Sequence, residues 1–275
     1  MLVEAARRLT AAGIAGARLD ARLLLAHALG VAPDEIMARR GDRPTEAVAV
    51  DFERLLVRRL AREPVSRIRG RREFWSLEFE IGPDTLDPRP DSETLIEAAL
   101  ACLADRGAPW RILDLGTGSG CLLLAMLSEL PAATGVGIDR ASGALAIAAA
   151  NAHRLGLDRR CRFLCGDWAA GLAGRFDLIV ANPPYIPSAD IAALEPEVRD
   201  HDPVLALAGG VDGLDAYRAI AAELPRLLAV EGRAVLELGN GQAEPVAKIM
   251  VEAGLVLSAV RPDLAGVARA LVVGC

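Results

Sequence analysis

Two hydrophobic rhythms divide this chain near residue 72. From Leu2 to about Arg62 there are no strand-like runs. Positions recur at helical spacing instead: Leu19, Leu23, Leu24, His27 and Ala28, then Phe52, Leu55, Leu56 and Leu60. Gly30, Pro33, Gly41 and Pro44 punctuate these pieces, which predicts a bundle of four or five short helices. Phe74–Ile81 then alternates apolar and polar residues as a hairpin-like strand does. Pro83, Pro88 and Pro90 form a stiff connection, after which Asp91 or Ser92 is placed to cap a helix running to about Ala104. From Trp110 strand and helix alternate. Strands are expected at Arg111–Leu115, Gly135–Asp139, Arg162–Cys165, Phe176–Val180 and Arg233–Leu238, with two more around Leu255–Val260 and Ala270–Val273. Helices fit Cys121–Leu130, Ala141–Leu155, Asp215–Leu228 and Ala243–Ala253. This alternation predicts an α/β fold with an open, mostly parallel sheet of seven strands. The expected organisation is a helical domain at 1–72, a β-hairpin and linker at 73–90, and a catalytic domain at 91–275.

Composition narrows the class. The chain has 275 residues, 52% apolar and 25% charged, enough for a sizeable core. Met1-Leu2-Val3-Glu4 carries no basic segment ahead of an apolar run, so no secretory signal is read there. The longest stretch without a formal charge, Leu115 to Ser128, is too short to span a bilayer. A soluble, cytoplasmic protein without a membrane partner is expected. Five cysteines without a C-x-x-C pair and three histidines give neither a zinc site nor a disulfide framework, and no metal is expected. Cys161 and Cys165, four apart on one strand face, read as small apolar fillers.

The net charge of −6 conceals an asymmetry. Fifteen arginines and ten acids fall before residue 76, a net of +5, so the remaining residues carry −11. Eight of the arginines lie between Arg54 and Arg72. A basic module on an acidic body points to an acidic protein or a nucleic acid as partner of the N-terminal part.

Three loops at expected strand ends carry the chemistry. After Asp114-Leu115, the run Gly116-Thr117-Gly118-Ser119-Gly120 lets backbone approach a ligand closely where α/β sheets bind nucleotides. The next strand ends in Asp139, an acid placed to accept both hydroxyls of an adenosine ribose. A dinucleotide dehydrogenase is open at this point. However, the loop reads G-x-G-x-G, with Cys121 where the third glycine of the dinucleotide fingerprint would fall. That spacing resembles the class I S-adenosylmethionine methyltransferases, with a Rossmann-like sheet. Asp167-Trp168, after the third strand, is placed to hold the edge and face of an adenine.

The fourth strand delivers Asn182-Pro183-Pro184-Tyr185. Two prolines fix φ and remove two N–H donors, so the loop's prolines offer only carbonyl acceptors. An Asn amide before them and an aromatic face after them suit a planar –NH2 group. Such a nitrogen is a poor nucleophile while conjugated. If Asn182 Oδ1 and the Pro183 carbonyl accept its two hydrogens, its lone pair is released toward a sulfonium methyl, with Tyr185 against the planar group. No nucleophile–base pair is needed.

Across nearly its whole length the chain resembles the HemK/PrmC-type release factor glutamine methyltransferases. The resemblance rests on Glu63-Pro64-Val65 with Gly70 and Phe74, on Pro88-Arg89-Pro90-Asp91-Ser92-Glu93, and on Asp114–Gly120 and Asn182–Ile186. It continues through Ala206-Leu207, Gly210-Val211-Asp212-Gly213-Leu214, Glu237-Leu238-Gly239 with Gln242, and Asp263-Leu264-Ala265-Gly266. It implies S-adenosyl-L-methionine as cofactor and methylation of the glutamine N5 in the Gly-Gly-Gln tripeptide of peptide chain release factors. The helical domain would then help hold the factor. Asp87, Ser92 and Asp202 depart from the family's usual aliphatic residue, Thr and Glu, and Asp87 puts the packing of its bend in question. Gly210, Asp212, Glu237 and Gln242 read as structural. The competing readings are an amino-group methyltransferase on adenine or guanine of nucleic acid, one on another protein glutamine such as a ribosomal protein, or a non-catalytic cofactor-binding scaffold. The acidic body and the lack of an aromatic-rich recognition module argue against a nucleic-acid substrate. A monomer is expected.

Overall fold

The computed structural model describes residues 1–38 and 43–275; Gly41 lies outside the described residues. The chain forms two compact units, Met1–Arg71 with Leu194–His201, and Arg72–Ala193 with Asp202–Cys275.

The first unit holds α1 (Leu2–Ala11), α2 (Ala17–Leu29), α3 (Glu35–Ala38), α4 (Glu46–Leu60) and α5 (Val65–Arg69). Thr45 caps α4 by accepting from Val48 N at 3.4 Å, and Gly30 ends α2 at φ 65°. The buried stripe of α2 is Ala21, Leu24 and Leu25, packed with Leu9, Phe52, Leu55 and Leu56. The stripe is therefore rotated from the expected one: Leu19 is half exposed and His27 is exposed. A helical turn at Pro196–Arg199 belongs to this unit and binds its arginines. Arg59, buried, donates to Asp20 Oδ2 at 2.8 Å and to Glu197 Oε1 at 3.0 Å. Arg62 Nη2 lies 2.9 Å from Glu197 Oε2, and Arg58 donates to Glu63 Oε2 at 2.7 Å. The basic run is thus partly consumed inside its own unit. Removing one partner of the buried Arg59 pair would strand a charge, at a cost of ~3–5 kcal/mol.

The second unit opens with a two-stranded hairpin, β1 (Arg71–Phe74) and β2 (Leu77–Glu80). The expected hairpin turns at Trp75 and Ser76, both at positive φ, so the chain folds back on two residues within the alternating run. Then come a 3₁₀ turn Pro90–Ser92, α6 (Glu93–Ala101), β3 (Arg111–Leu115), α7 (Cys121–Glu129), β4 (Thr134–Asp139), α8 (Ser142–Arg154), β5 (Cys161–Cys165) and β6 (Phe176–Ala181). After α9, the Pro196–Arg199 turn already described, follow α10 (Val204–Leu207), α11 (Asp215–Leu227), β7 (Leu228–Glu237), α12 (Ala243–Glu252), β8 (Val256–Pro262) and β9 (Ala268–Gly274). The sheet order is β5-β4-β3-β6-β7-β9-β8, parallel except for β9, which runs antiparallel to both neighbours. One face is covered by Leu95, Ile96, Leu123 and Leu127 of α6 and α7. The other is covered by Tyr217, Ile220 and Leu224 of α11 with Val246 and Met250 of α12. This is the mostly parallel seven-stranded sheet expected from the alternation of strand and helix.

Four local expectations need correction. α6 ends at Ala101, not near Ala104, and neither Asp91 nor Ser92 gives a side-chain cap. β7 starts at Leu228, five residues early, across a register shift between Phe176 and Leu178. Cys161 is a buried filler, but Cys165 is exposed at the end of the edge strand β5. Asp87 is buried and held by polar partners: its N–H donates to Asp202 Oδ1 at 3.4 Å, and Arg72 Nε lies 3.7 Å from its Oδ1. Among the described residues no helix is long and apolar enough to cross a membrane, and no group of His, Cys, Asp and Glu is arranged to hold a metal.

Candidate active site

The strand order reverses at β3, whose two neighbours β4 and β6 depart in opposite directions. Such a switch point opens a crevice at the carboxyl ends of the strands. Leu115 of β3 is paired with Ala181 of β6, so Gly116 and Asn182 leave the sheet side by side. The Gly116 and Thr117 N–H groups both donate to Ile138 O at 2.9 Å. Gly118 N donates to Asp139 Oδ2 at 2.8 Å, and Ala141 N to Oδ1 at 2.9 Å. Gly116, Gly118 and Gly120 all have positive φ, which is why side chains are absent there. A Cβ on Gly120 would come within 3.2 Å of Ala148 and Leu124, so that glycine serves the packing of α7 on α8.

A cleft of about 530 Å³ lies over these strand ends. Gly116, Thr117, Gly118, Ser119, Asp139, Asp167, Trp168, Asn182 and Pro184 line it, whereas Gly120, Pro183 and Tyr185 do not. Ser92, Cys121, Pro203 and Val204 contribute to the wall as well. Burial pushes the Cys121 thiol up to about 12, so it stays protonated and offers no thiolate nucleophile.

The Asn182 loop is held by side chains from distant segments. Asn182 Nδ2 donates to Ser92 Oγ at 3.2 Å, and Ser92 Oγ donates to Glu237 Oε2 at 2.5 Å. The Tyr185 hydroxyl turns away from the cleft to Glu237 Oε1 at 3.4 Å, while Tyr217 donates to the Glu237 carbonyl at 2.7 Å. Gln242 clamps the loop from behind: its Nε2 donates to Tyr185 O at 2.9 Å and its Oε1 accepts from Gly239 N at 3.1 Å. Gly209 and Gly213 fit against the same backbone, where a Cβ would sit 2.7 Å from Pro184 O and 2.4 Å from Tyr185 O respectively.

Two buried acids lie near the cleft. Burial pushes Glu237 up to about 7, against the opposing pull of Ser92, Arg269 and Tyr185, with Asp91 adding to the rise. Burial also pushes Asp114 up to about 7, although Thr117 Oγ1 donates to its Oδ2 at 2.7 Å. Burial and the nearby Glu237 raise Tyr185, so it remains a neutral phenol.

Comparison with known proteins gives the family. Residues 1–70 match the family described as PrmC N-terminal domain, and residues 108–255 match a methyltransferase domain. The release factor glutamine methyltransferase of Rhodospirillum rubrum is 54% identical over 98% of this chain and 83% of its own length. The chain belongs to the release factor glutamine methyltransferases. The member from Bradyrhizobium diazoefficiens is 47% identical over 98% of this chain and 93% of its own. Among solved structures, a ribosomal protein L11 methylase from Lactobacillus delbrueckii subsp. bulgaricus aligns with a TM-score of 0.51 at 16% identity. That alignment covers 68% of this chain and 79% of the methylase, and at such identity it speaks for a shared fold alone.

Of the three residues that hold the Asn182 loop, only Ser92 carried another reading in the sequence. Ser92 looked like a helix cap, yet its hydroxyl goes to Glu237. Glu237 and Gln242 looked structural, and they are built into the site's support. The signal for Glu237 was an acid at the end of an otherwise apolar run, Ala234-Val235-Leu236, where an unpaired charge is costly. Asp212 does fit its structural reading: an exposed ion pair with Arg218 holds its carboxyl down at about 2.

Proposed function

We propose that the cleft binds S-adenosyl-L-methionine and that this chain methylates the side-chain nitrogen of the glutamine in the Gly-Gly-Gln motif of peptide chain release factors. The observation that carries the reading is that Asn182 and the Gly116–Ser119 loop line one cleft at the switch point. The substrate follows from relatives of that name matching over almost the whole chain.

The residues present fit the cofactor. Each Asp139 oxygen accepts one backbone N–H and keeps a lone pair for a ribose hydroxyl. The Trp168 ring lies against Gly116, where a Cβ would be 3.7 Å away, which leaves an aromatic wall beside the loop for an adenine. Asp167 supplies an acceptor for the adenine edge. Bound there, S-adenosylmethionine supplies an electrophilic methyl on a sulfonium sulfur. Asn182 Oδ1 and the Pro183 carbonyl accept the two hydrogens of the glutamine amide, which loosens its lone pair from the carbonyl. With the methyl so supplied, the chain's part would be to hold the amide nitrogen in line through Asn182, the S–C electron pair would stay on sulfur as the N–C bond formed, and the nitrogen's surplus proton would leave to water. Holding nitrogen and methyl in line is the main source of rate. A tripeptide offers little binding surface, so the helical unit adds contacts to the factor's body. Arg58, Arg59 and Arg62 are engaged in ion pairs within their own unit.

The test is incubation with methyl-labelled S-adenosylmethionine and either a purified release factor or total RNA and DNA. Label is expected on the release factor, at the glutamine of Gly-Gly-Gln by peptide mapping. Label confined to nucleic acid would overturn the substrate, and tight cofactor binding without any labelling would overturn the activity.

A further inference from the structure

We infer that Ser92 and Glu237 act in series as positioning residues that fix which end of the Asn182 amide faces the acceptor nitrogen. The inference rests on the reading of Asn182 as the group that receives an amino hydrogen.

A primary amide has two ends of nearly equal size and opposite hydrogen-bonding sense. Asn182 serves the reaction with its oxygen toward the cleft, because only that end accepts an N–H. With its NH2 toward the cleft it would confront the acceptor's hydrogens with two of its own. Nothing within the Asn182-Pro183-Pro184-Tyr185 loop chooses between the two ends, since the prolines have no N–H to offer Oδ1.

The choice is made two residues away through space. Ser92 Oγ carries a single hydrogen, and Glu237 Oε2 takes it at 2.5 Å. A carboxylate has no hydrogen to give back, so the Ser92 hydroxyl direction is set by Glu237. Only lone pairs of Ser92 Oγ are then left for Asn182, and only the NH2 end can satisfy them, as the 3.2 Å contact from Nδ2 shows. Oδ1 is thereby left for the cleft. The chain of directions is enforced from its far end: Glu237 accepts the Tyr185 hydroxyl on its other oxygen, and its own carbonyl accepts the Tyr217 hydroxyl, so backbone and side chain are both pinned. Ser92 and Glu237 are 3% and 1% exposed, and so little water is available to substitute for either. Arg269 and Asp91 are the nearby formal charges, with the neutral Cys121 thiol and the two tyrosines completing the surroundings. Above its ionisation Glu237 is purely an acceptor, and the direction is unambiguous.

The experiment measures single-turnover rate, KM for the release factor, calorimetric Kd for S-adenosylmethionine and Tm, all at pH 8.5 where Glu237 is ionised. Ser92→Ala is expected to lower the rate about 10-fold or more, with KM and Kd changed no more than about 3-fold (roughly 0.6 kcal/mol). Ser92→Thr keeps the hydroxyl and is expected to hold the rate within about 2-fold of wild type. Glu237→Gln is expected to lower the rate to an intermediate level, because its amide can present NH2 to Ser92 and release that hydroxyl toward Asn182 Oδ1. The double variant should be no slower than Ser92→Ala, since two residues acting in series share one effect. The inference fails if Ser92→Ala or Glu237→Gln keeps the wild-type rate, if Ser92→Thr is as slow as Ser92→Ala, or if the two losses multiply. Loss of Tm and cofactor affinity in step with rate would make the pair structural only. If the wild-type enzyme labels a substrate other than the release factor, the substrate reading fails, and the same variants are compared on the substrate it does label.

Discussion

The loop Gly116–Gly120 and the loop Asn182–Tyr185 leave neighbouring strands of one sheet, yet they are held by different means. The first is fixed by its own backbone: positive φ at three glycines, N–H groups bonded to Ile138 O and Asp139, and one acid supplied by the very next strand. All of it lies within Asp114–Ala141 except one side chain, the Asn151 amide, which donates to Ser119 O at 2.9 Å. The second is fixed by side chains brought from Ser92, Glu237 and Gln242, which lie 90, 52 and 57 residues along the chain from the Asn182 or Tyr185 that each meets, with Tyr217 bracing Glu237 in turn. A backbone cradle tolerates variation in whatever surrounds it. A side-chain cradle passes every local change on to the group that it aims. The cofactor half should therefore fail one residue at a time and in affinity, while the acceptor half should fail as a network and in rate.

The largest effect expected is at Asn182 itself. On the proposed chemistry Asn182→Ala removes the acceptor for one amino hydrogen and the alignment that goes with it, which should lower the single-turnover rate by ~10²-fold or more. The Gly116 loop and Asp139 hold each other without Asn182, so S-adenosylmethionine affinity by calorimetry should fall far less. A variant that keeps most of its turnover would show the loop to be only a turn. One that loses cofactor binding in proportion would erase the distinction between the two halves.

That distinction also decides what could be read from the sequence. The central strands β3 and β6 announced themselves because parallel strands buried on both faces are continuous apolar runs. The glycine loop with Asp139 announced itself because its geometry demands particular residues at short spacing. Asn182–Tyr185 was legible as a motif, but its support was not. Ser92 stands where a helix cap would stand, and no local rule distinguishes a serine that caps from one that turns inward to a glutamate 145 residues later. The hairpin was legible but its turn was not placed, for a similar reason: Trp75 and Ser76 adopt positive φ without being Gly or Asn, so turn chemistry gave no signal. The basic run of the first unit was legible only in part. Its charge was visible, but its partners Glu195 and Glu197 come from a segment more than 130 residues on, within the −11 remainder.

The second effect tests the cofactor half. Asp139→Ala leaves ribose hydroxyls without an acceptor and also strands the Gly118 and Ala141 N–H groups that the carboxylate now holds. Losing such partners costs ~1–3 kcal/mol, so the calorimetric Kd for S-adenosylmethionine should rise about 10-fold or more. At saturating cofactor the rate should recover most of its wild-type value, because Asn182 and its supports are untouched. Tight binding of a nicotinamide dinucleotide with none of S-adenosylmethionine would overturn the cofactor assignment altogether.

The smallest effect is the most pointed, because it concerns a residue that does not line the cleft. Gln242 joins Tyr185 O to Gly239 N, tying the end of the Asn182 loop to the segment just after Glu237. Gln242→Ala removes both bonds and leaves Tyr185 O and Gly239 N to find other partners, a loss of ~1 kcal/mol in a partly accessible position. The loop should then sample positions in which the Pro183 carbonyl and Asn182 Oδ1 no longer converge on one nitrogen. A fall in single-turnover rate of about 3- to 10-fold follows from a penalty of that size. The cofactor Kd should stay within about 2-fold, since no bond of the Gly116 loop passes through Gln242. Gln242→Glu is the sharper variant. It keeps the acceptor for Gly239 N but replaces the donor to Tyr185 O with a second oxygen, so the two oxygens repel and the loop is pushed rather than released. Its rate should be lower than that of Gln242→Ala although its volume matches glutamine. Equal rates for Gln242→Glu and wild type would mean that the loop's carbonyls are held by the prolines alone, and the acceptor half would then be as local as the cofactor half.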